Sequence, residues 1–119
     1  MHQFLPYAWF QNQCVPFEEA KISIATHALH YGTGAFGGMR AIPDPQQAGT
    51  MLLFRADRHA RRLSQSARLL LTDLSEETIL SSLTAMLRAN QPDQPIYLRP
   101  FVYTSDLGIA PRLHDIETD

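Results

Sequence analysis

Apolar and polar positions change their spacing along the chain, and each change predicts an element. YAWF (7–10) and CVPF (14–17) are short apolar runs around the polar QNQ, which predicts two strands joined as a hairpin. KISIATHALHY (21–31) opens in alternation at Ile22 and Ile24 and then loses it. MRAI (39–42) predicts a strand, and Pro43 and Pro45 in IPDPQQAGT close it with an exposed loop. TMLLF (50–54) predicts a buried strand. From Asp57 to Leu71 the spacing lengthens. Ala60, Leu63, Ala67 and Leu70 recur at three- and four-residue steps, the stripe of a helix that Asp57 would cap. A second helix is expected from about Ser75 to Asn90. Ser75 is its N-cap, Glu76 and Glu77 suit the positive end of its dipole, Arg88 suits the other end, and Ile79, Leu83 and Met86 form its stripe.

PIYLRPFVYT (95–104) is the clearest strand. Ile96, Leu98, Pro100 and Val102 fall on one face, with Tyr97, Arg99, Phe101 and Tyr103 on the other. The tail SDLGIAPRLHDIETD is polar and reads as a linker. Strands, two helices and a strand follow one another without βαβ alternation. The expected class is therefore α+β, a small antiparallel sheet packed with two helices. One domain over 1–104 is expected, with a linker over 105–119.

Composition narrows the function classes. A chain of 119 residues suits one core, and a net charge of −2 gives no reason to expect nucleic acid as a partner. Cys14 is the only cysteine, so no internal disulfide forms. The N-terminus lacks the pattern of a secretory signal, and no apolar run is long enough to span a membrane. A cytoplasmic protein without a membrane partner is expected. His27 and His30 stand three apart, as metal ligands can, but no Cys or carboxylate set accompanies them, so no metal is expected.

The basic residues are lopsided, nine Arg to one Lys, and Arg55, Arg58, Arg61 and Arg62 fall within one helical stretch. A guanidinium suits phosphate and carboxylate, although such a cluster is also what a solvated helix face carries.

HYGTGAFGG (30–38) holds four of the six glycines, and Gly32, Gly34 and Gly37 have the spacing of a dinucleotide-binding turn. Asp57, 20 residues after Gly37, even stands where a ribose-binding acid would. The context argues otherwise. Such a turn needs a strand running in and a helix running out. Here the lead-in is mixed, and MRAIPDP is broken by two prolines. A tight turn feeding a bulged strand is expected instead, with the missing Cβ atoms admitting another group.

With its neighbours the stretch becomes more specific. VPFEEAKISIATHALHYGTGAFGGMRAI resembles the N-terminal region of branched-chain amino acid aminotransferases, fold-type IV enzymes that use pyridoxal 5′-phosphate (PLP). FRADRHARRLSQSARLL resembles the segment that follows, with its H-x-x-R-L at His59 to Leu63. PIYLRPFVY and DLGIAP resemble the family's Y-x-R strand and interdomain loop. The resemblance implies that Arg62 holds the cofactor phosphate. It implies that Tyr31 and Phe36 line the substrate side-chain pocket, and that Tyr97 and Arg99 contact substrate carboxylates. His59 is expected to pack or hydrogen-bond near the helix start. Gly37 stands where many members have glutamate.

The implied activity is transfer of an amino group between Leu, Ile or Val and 2-oxoglutarate. Amino acids and 2-oxo acids would be the partners, in a homodimer that borrows Tyr31 and the loop near Gly108–Pro111 across the subunit boundary. D-amino acid aminotransferases and aminodeoxychorismate lyases share the fold and are the alternative within it. A stand-alone, non-catalytic binding domain is the alternative outside it. One departure is large. The family's Schiff-base lysine lies in a second domain, whereas the only lysine here is Lys21, in a stretch matching a structural part of the family. The resemblance therefore implies an N-terminal domain that is inactive alone, with no catalytic residue of its own.

Overall fold

The computed structural model describes residues 4–105 and 107. The chain begins with the hairpin β1 (Tyr7–Phe10) and β2 (Gln13–Pro16), paired antiparallel with Phe10 opposite Gln13. Gln11 and Asn12 turn it with φ of 52° and 64°. Two consecutive positive φ values match the right-handed twist of the flanking strands. Asn90, at the far end of a helix, then pairs with the hairpin edge. Its side-chain oxygen accepts from the Tyr7 N–H at 2.9 Å, and its amide donates to the Tyr7 carbonyl at 3.2 Å.

A short helix α1 (His27–Tyr31) follows, where alternation had already been lost. Gly32 ends it in the left-handed conformation, φ 66°, and donates back to the Ala28 carbonyl at 2.9 Å. A side chain there would be strained, and glycine is not. The chain then enters β3 (Gly34–Phe36) and crosses through Gly37 and Gly38 into β4 (Met39–Pro43). The glycine stretch thus lies between a helix and two strands. This order is the reverse of a dinucleotide turn, and the expected tight turn falls at Gly32.

Strand β5 (Met51–Leu53) pairs with β4, and β4 pairs on its other side with β6 (Ile96–Leu98). Strand β7 (Phe101–Tyr103) leaves that sheet and pairs with β3. The single strand expected over 95–104 is therefore two. Pro100 has no N–H to donate, and the break at Arg99–Pro100 hands the chain from one sheet to the other. Among the described residues there are three small antiparallel sheets, of two, two and three strands, where one was expected. The α+β class stands.

Helix α2 (Ala56–Arg68) and helix α3 (Glu76–Asn90) cover the sheets. For α3, the Ser75 hydroxyl accepts from the Thr78 N–H at 3.1 Å, the cap expected from the sequence and worth about 1 kcal/mol. For α2 the expectation fails. Arg55, not Asp57, is the cap residue, in the left-handed conformation with φ 53° and no side-chain bond to the helix. Asp57 lies inside the first turn, where its charge still suits the dipole. The two helices meet through Ala60, Leu63 and Ala67 of one and Ile79 and Leu83 of the other. Met39 and Val102 close the core from the strands. Leu70 is only half-buried, and Leu52 of the expected buried strand is 44% exposed.

Candidate functional site

Two groups of side chains bear on function, and each is placed by a different element. The first forms at the joint between sheets. Tyr97 and Arg99 stand two residues apart and point the same way, as alternation predicts. The Arg99 Nε donates to the Tyr97 hydroxyl at 3.2 Å. The guanidinium also lies over the Phe36 ring, 4.4 Å from its centroid, and 5.4 Å from that of Tyr97. Phe36 reaches it because β3 pairs with β7, which sets Phe36 opposite Phe101, the two rings stacked at 6.4 Å. Phe36, Tyr97 and Phe101 are each more than half exposed. The result is an open aromatic surface with one cation held flat on it. One Arg99 N–H is engaged by Tyr97, and the outer fork remains to meet a carboxylate. Three of the five expected site residues, Phe36, Tyr97 and Arg99, therefore come together.

Gly38 holds this group in register. A Cβ there would press on the Tyr97 hydroxyl and lie 2.9 Å from two of its ring carbons. The obstruction is the tip of an exposed side chain, which can swing away, so Gly38→Ala is expected to cost under about 1 kcal/mol in stability. The Arg99–Tyr97 bond cannot survive that swing. We expect the unfolding midpoint to fall by no more than about 5 °C, but Tyr97 ring resonances displaced as far as in Arg99→Ala. Wild-type Tyr97 resonances in Gly38→Ala would show that the ring does not rest on Gly38.

Tyr31 ends helix α1, 40% exposed, with its ring 4.6 Å from that of His27. His27 is fully buried and bonds Thr33 Oγ1 through Nδ1 at 2.8 Å, while the His30 Nε2–H donates to the Ile24 carbonyl at 2.8 Å. Each histidine is thus taken by a different part of the loop. No group of three or more metal-ligating side chains occurs among the described residues. The Gly108–Pro111 loop lies outside the described residues.

The second group is a cleft of about 380 Å³ lined by Phe54, Arg55, Arg58, His59 and Arg62. The first turns of α2 supply its cations at helical spacing. Arg55 sits 5.3 Å over the Phe54 ring. Arg62 Nη2 donates to His59 Nδ1 at 3.4 Å, so His59 does hydrogen-bond near the helix start. Arg61 faces elsewhere, pairing with Glu76 at 3.6 Å. Among the described residues no carboxylate lines the cleft, and three guanidiniums and an imidazole do. This donor set fits an anion such as a phosphate ester. Sequence reasoning gave Arg62 a role and placed Arg55 in the same arginine cluster, but gave no part to Phe54 or Phe101. The signal for Phe101 was present, since it alternates onto the Arg99 face.

No family model matches the chain. Individual proteins do. It is 60% identical, over all 119 residues, to the "Probable branched-chain-amino-acid aminotransferase" of Synechocystis sp., of which it spans 39%. Its fold matches a crystal structure of the branched-chain aminotransferase from Thermoproteus uzoniensis with norvaline, with TM-score 0.86, 27% identity, and coverage of 97% of this chain and 38% of that one. It matches the branched-chain amino acid aminotransferase from Thermobaculum terrenum in its PLP-bound holo form with TM-score 0.81, 26% identity, and coverage of 96% and 38%. The chain spans about two fifths of the length of these relatives. By sequence and by fold alike, it is similar to one portion, about two fifths, of branched-chain-amino-acid aminotransferases.

Proposed function

We propose that the chain is the N-terminal portion of a PLP-dependent transaminase acting on Leu, Ile or Val and 2-oxoglutarate. It contributes half of the site and none of the covalent chemistry. The observation that carries this reading is the match to an aminotransferase along the whole chain at 60% identity. The two groups of side chains agree with it. Arg62, with the neighbouring cations of its cleft, would hold the phosphate of the cofactor. When bound, pyridoxal phosphate supplies an electron sink for chemistry at the amino-acid α-carbon. Arg99, flat on Phe36 and braced by Tyr97, would bind a carboxylate, while the Phe36 ring and Tyr31 would receive an aliphatic side chain. A cation on an aromatic surface can serve both a branched aliphatic group and the second carboxylate of 2-oxoglutarate. A cytoplasmic homodimer is part of the same reading.

Lys21 is the only lysine and stands exposed before α1, so no residue here is assigned the covalent role. The 119-residue chain with PLP, leucine and 2-oxoglutarate is therefore expected to form no glutamate. A chimera is the positive test, with this chain replacing the matching 39% of the Synechocystis relative. It is expected to form glutamate from leucine, isoleucine and valine and not from D-alanine. Turnover by the 119-residue chain alone, or a folded chimera that prefers D-alanine, would overturn the reading.

A further inference from the structure

We infer that His59 is a positioning residue that couples anion binding in the α2 cleft to protonation, tightening the grip on a dianionic group as the pH falls. This rests on the reading of Arg62 as a phosphate ligand. A guanidinium has only donors, so the Arg62 N–H at 3.4 Å requires a free lone pair on His59 Nδ1. That contact belongs to the neutral imidazole. A proton on Nδ1 abolishes the acceptor and sets two cations side by side. Arg62 is then released toward the cleft, and the imidazolium adds a donor and a charge.

The surroundings make an anion decisive for this exchange. Arg55, Arg58 and Arg62 line the cleft with His59, and Phe54 brings only an apolar ring from the β5 side. Asp57, two positions earlier on the same helix, is exposed and not among the lining residues. On the packed helix α3, Glu76 is paired with Arg61. A dianion among the three guanidiniums would attract the charge of the imidazolium, and linkage requires protonation to strengthen the anion's binding by the same factor. An anion titrated between about pH 5.5 and about pH 8 reads this coupling.

Sulfate is the suitable probe because it stays dianionic across that range, whereas a phosphate ester itself takes up a proton near pH 6. It is titrated into the 119-residue chain at about pH 5.5 and about pH 8, at constant ionic strength, following backbone amide resonances of α2. Wild-type protein is expected to bind roughly two- to fivefold tighter at the lower pH, the factor of one exposed charge pair. In His59→Gln, which keeps a polar side chain of similar reach at a half-exposed site, the two affinities are expected to be equal. Equal affinities in the wild type, or the full pH difference retained in His59→Gln, would overturn the role of His59 while leaving the cleft an anion site. Absence of sulfate binding at either pH would overturn the Arg62 reading, and this inference with it.

Discussion

Leu63→Ala is expected to lower the unfolding free energy by about 3 kcal/mol. Leu63 is 2% exposed and lies where α2 meets α3, among Ala60, Ala67, Ile79, Leu83, Met39 and Val102. Its own helix offers only alanines beside it, which have no length to fill the space a leucine leaves. Nor can the helices close up freely. The Ser64 hydroxyl donates to the Leu74 carbonyl across the turn between them, and Ala60 and Ala67 are already fully buried at the contact. The cavity therefore remains, and its cost adds to the lost transfer energy. Domains of this size are stable by roughly 5–15 kcal/mol, so the variant loses a large share, read as a fall of roughly 10 °C in the unfolding midpoint. Leu69→Ala, removing a side chain that is 82% exposed, is the control and is expected within about 0.5 kcal/mol of the wild type. Equal losses in the two variants would show that the core does not lie between these helices.

What the sequence made legible depended on whether the deciding contact was local. Helix α3 could be read in full, because its stripe repeats over four turns and Ser75 caps it from three residues away. The first hairpin was equally plain, since its turn lies inside six residues of its own strands. Helix α1 was missed because five residues are too few for a helical period to appear. The division of 95–104 between two sheets was legible in principle, since Pro100 cannot donate to a ladder. Alternation ran on through the proline and concealed it. The cap of α2 was misread for a different reason. Asp57 has the right chemistry, but β5 delivers the chain to the helix through a left-handed Arg55, a tertiary requirement that overrides the local preference. In the site, the shared face of Tyr97 and Arg99 followed from spacing alone. The meeting of Arg99 with Phe36 did not, because it depends on β3 pairing with a strand more than 60 residues away.

Arg62→Leu is expected to weaken binding of pyridoxine 5′-phosphate to the chain by on the order of tenfold, while leaving the much weaker binding of pyridoxine unchanged. The alcohol is chosen because the aldehyde of PLP would react with Lys21 and the N-terminal amine. A guanidinium presents two parallel N–H groups at the spacing of two phosphate oxygens, and charge-assisted bonds of that kind are about twice as strong as neutral ones. Arg62→Lys separates shape from charge. It keeps a cation but loses the fork, and is expected to recover only part of the affinity. Arg61→Leu is the matched control, since Arg61 pairs with Glu76 outside the cleft, and no effect beyond general charge screening is expected. Calorimetry of both ligands on the four proteins decides the matter. Equal losses from Arg61→Leu and Arg62→Leu would mean that the helix attracts phosphate diffusely and that no fork is used.

Arg55 carries a consequence for anyone engineering this domain. A non-glycine residue at φ 53° costs about 1 kcal/mol or more relative to glycine, so selection for thermal tolerance alone would favour Gly or Asn at that position. The same change would strip the anion cleft of one of its three guanidiniums. A library ranked by melting temperature would thus enrich folded, robust and functionally impoverished variants, and position 55 is best held fixed in any such campaign.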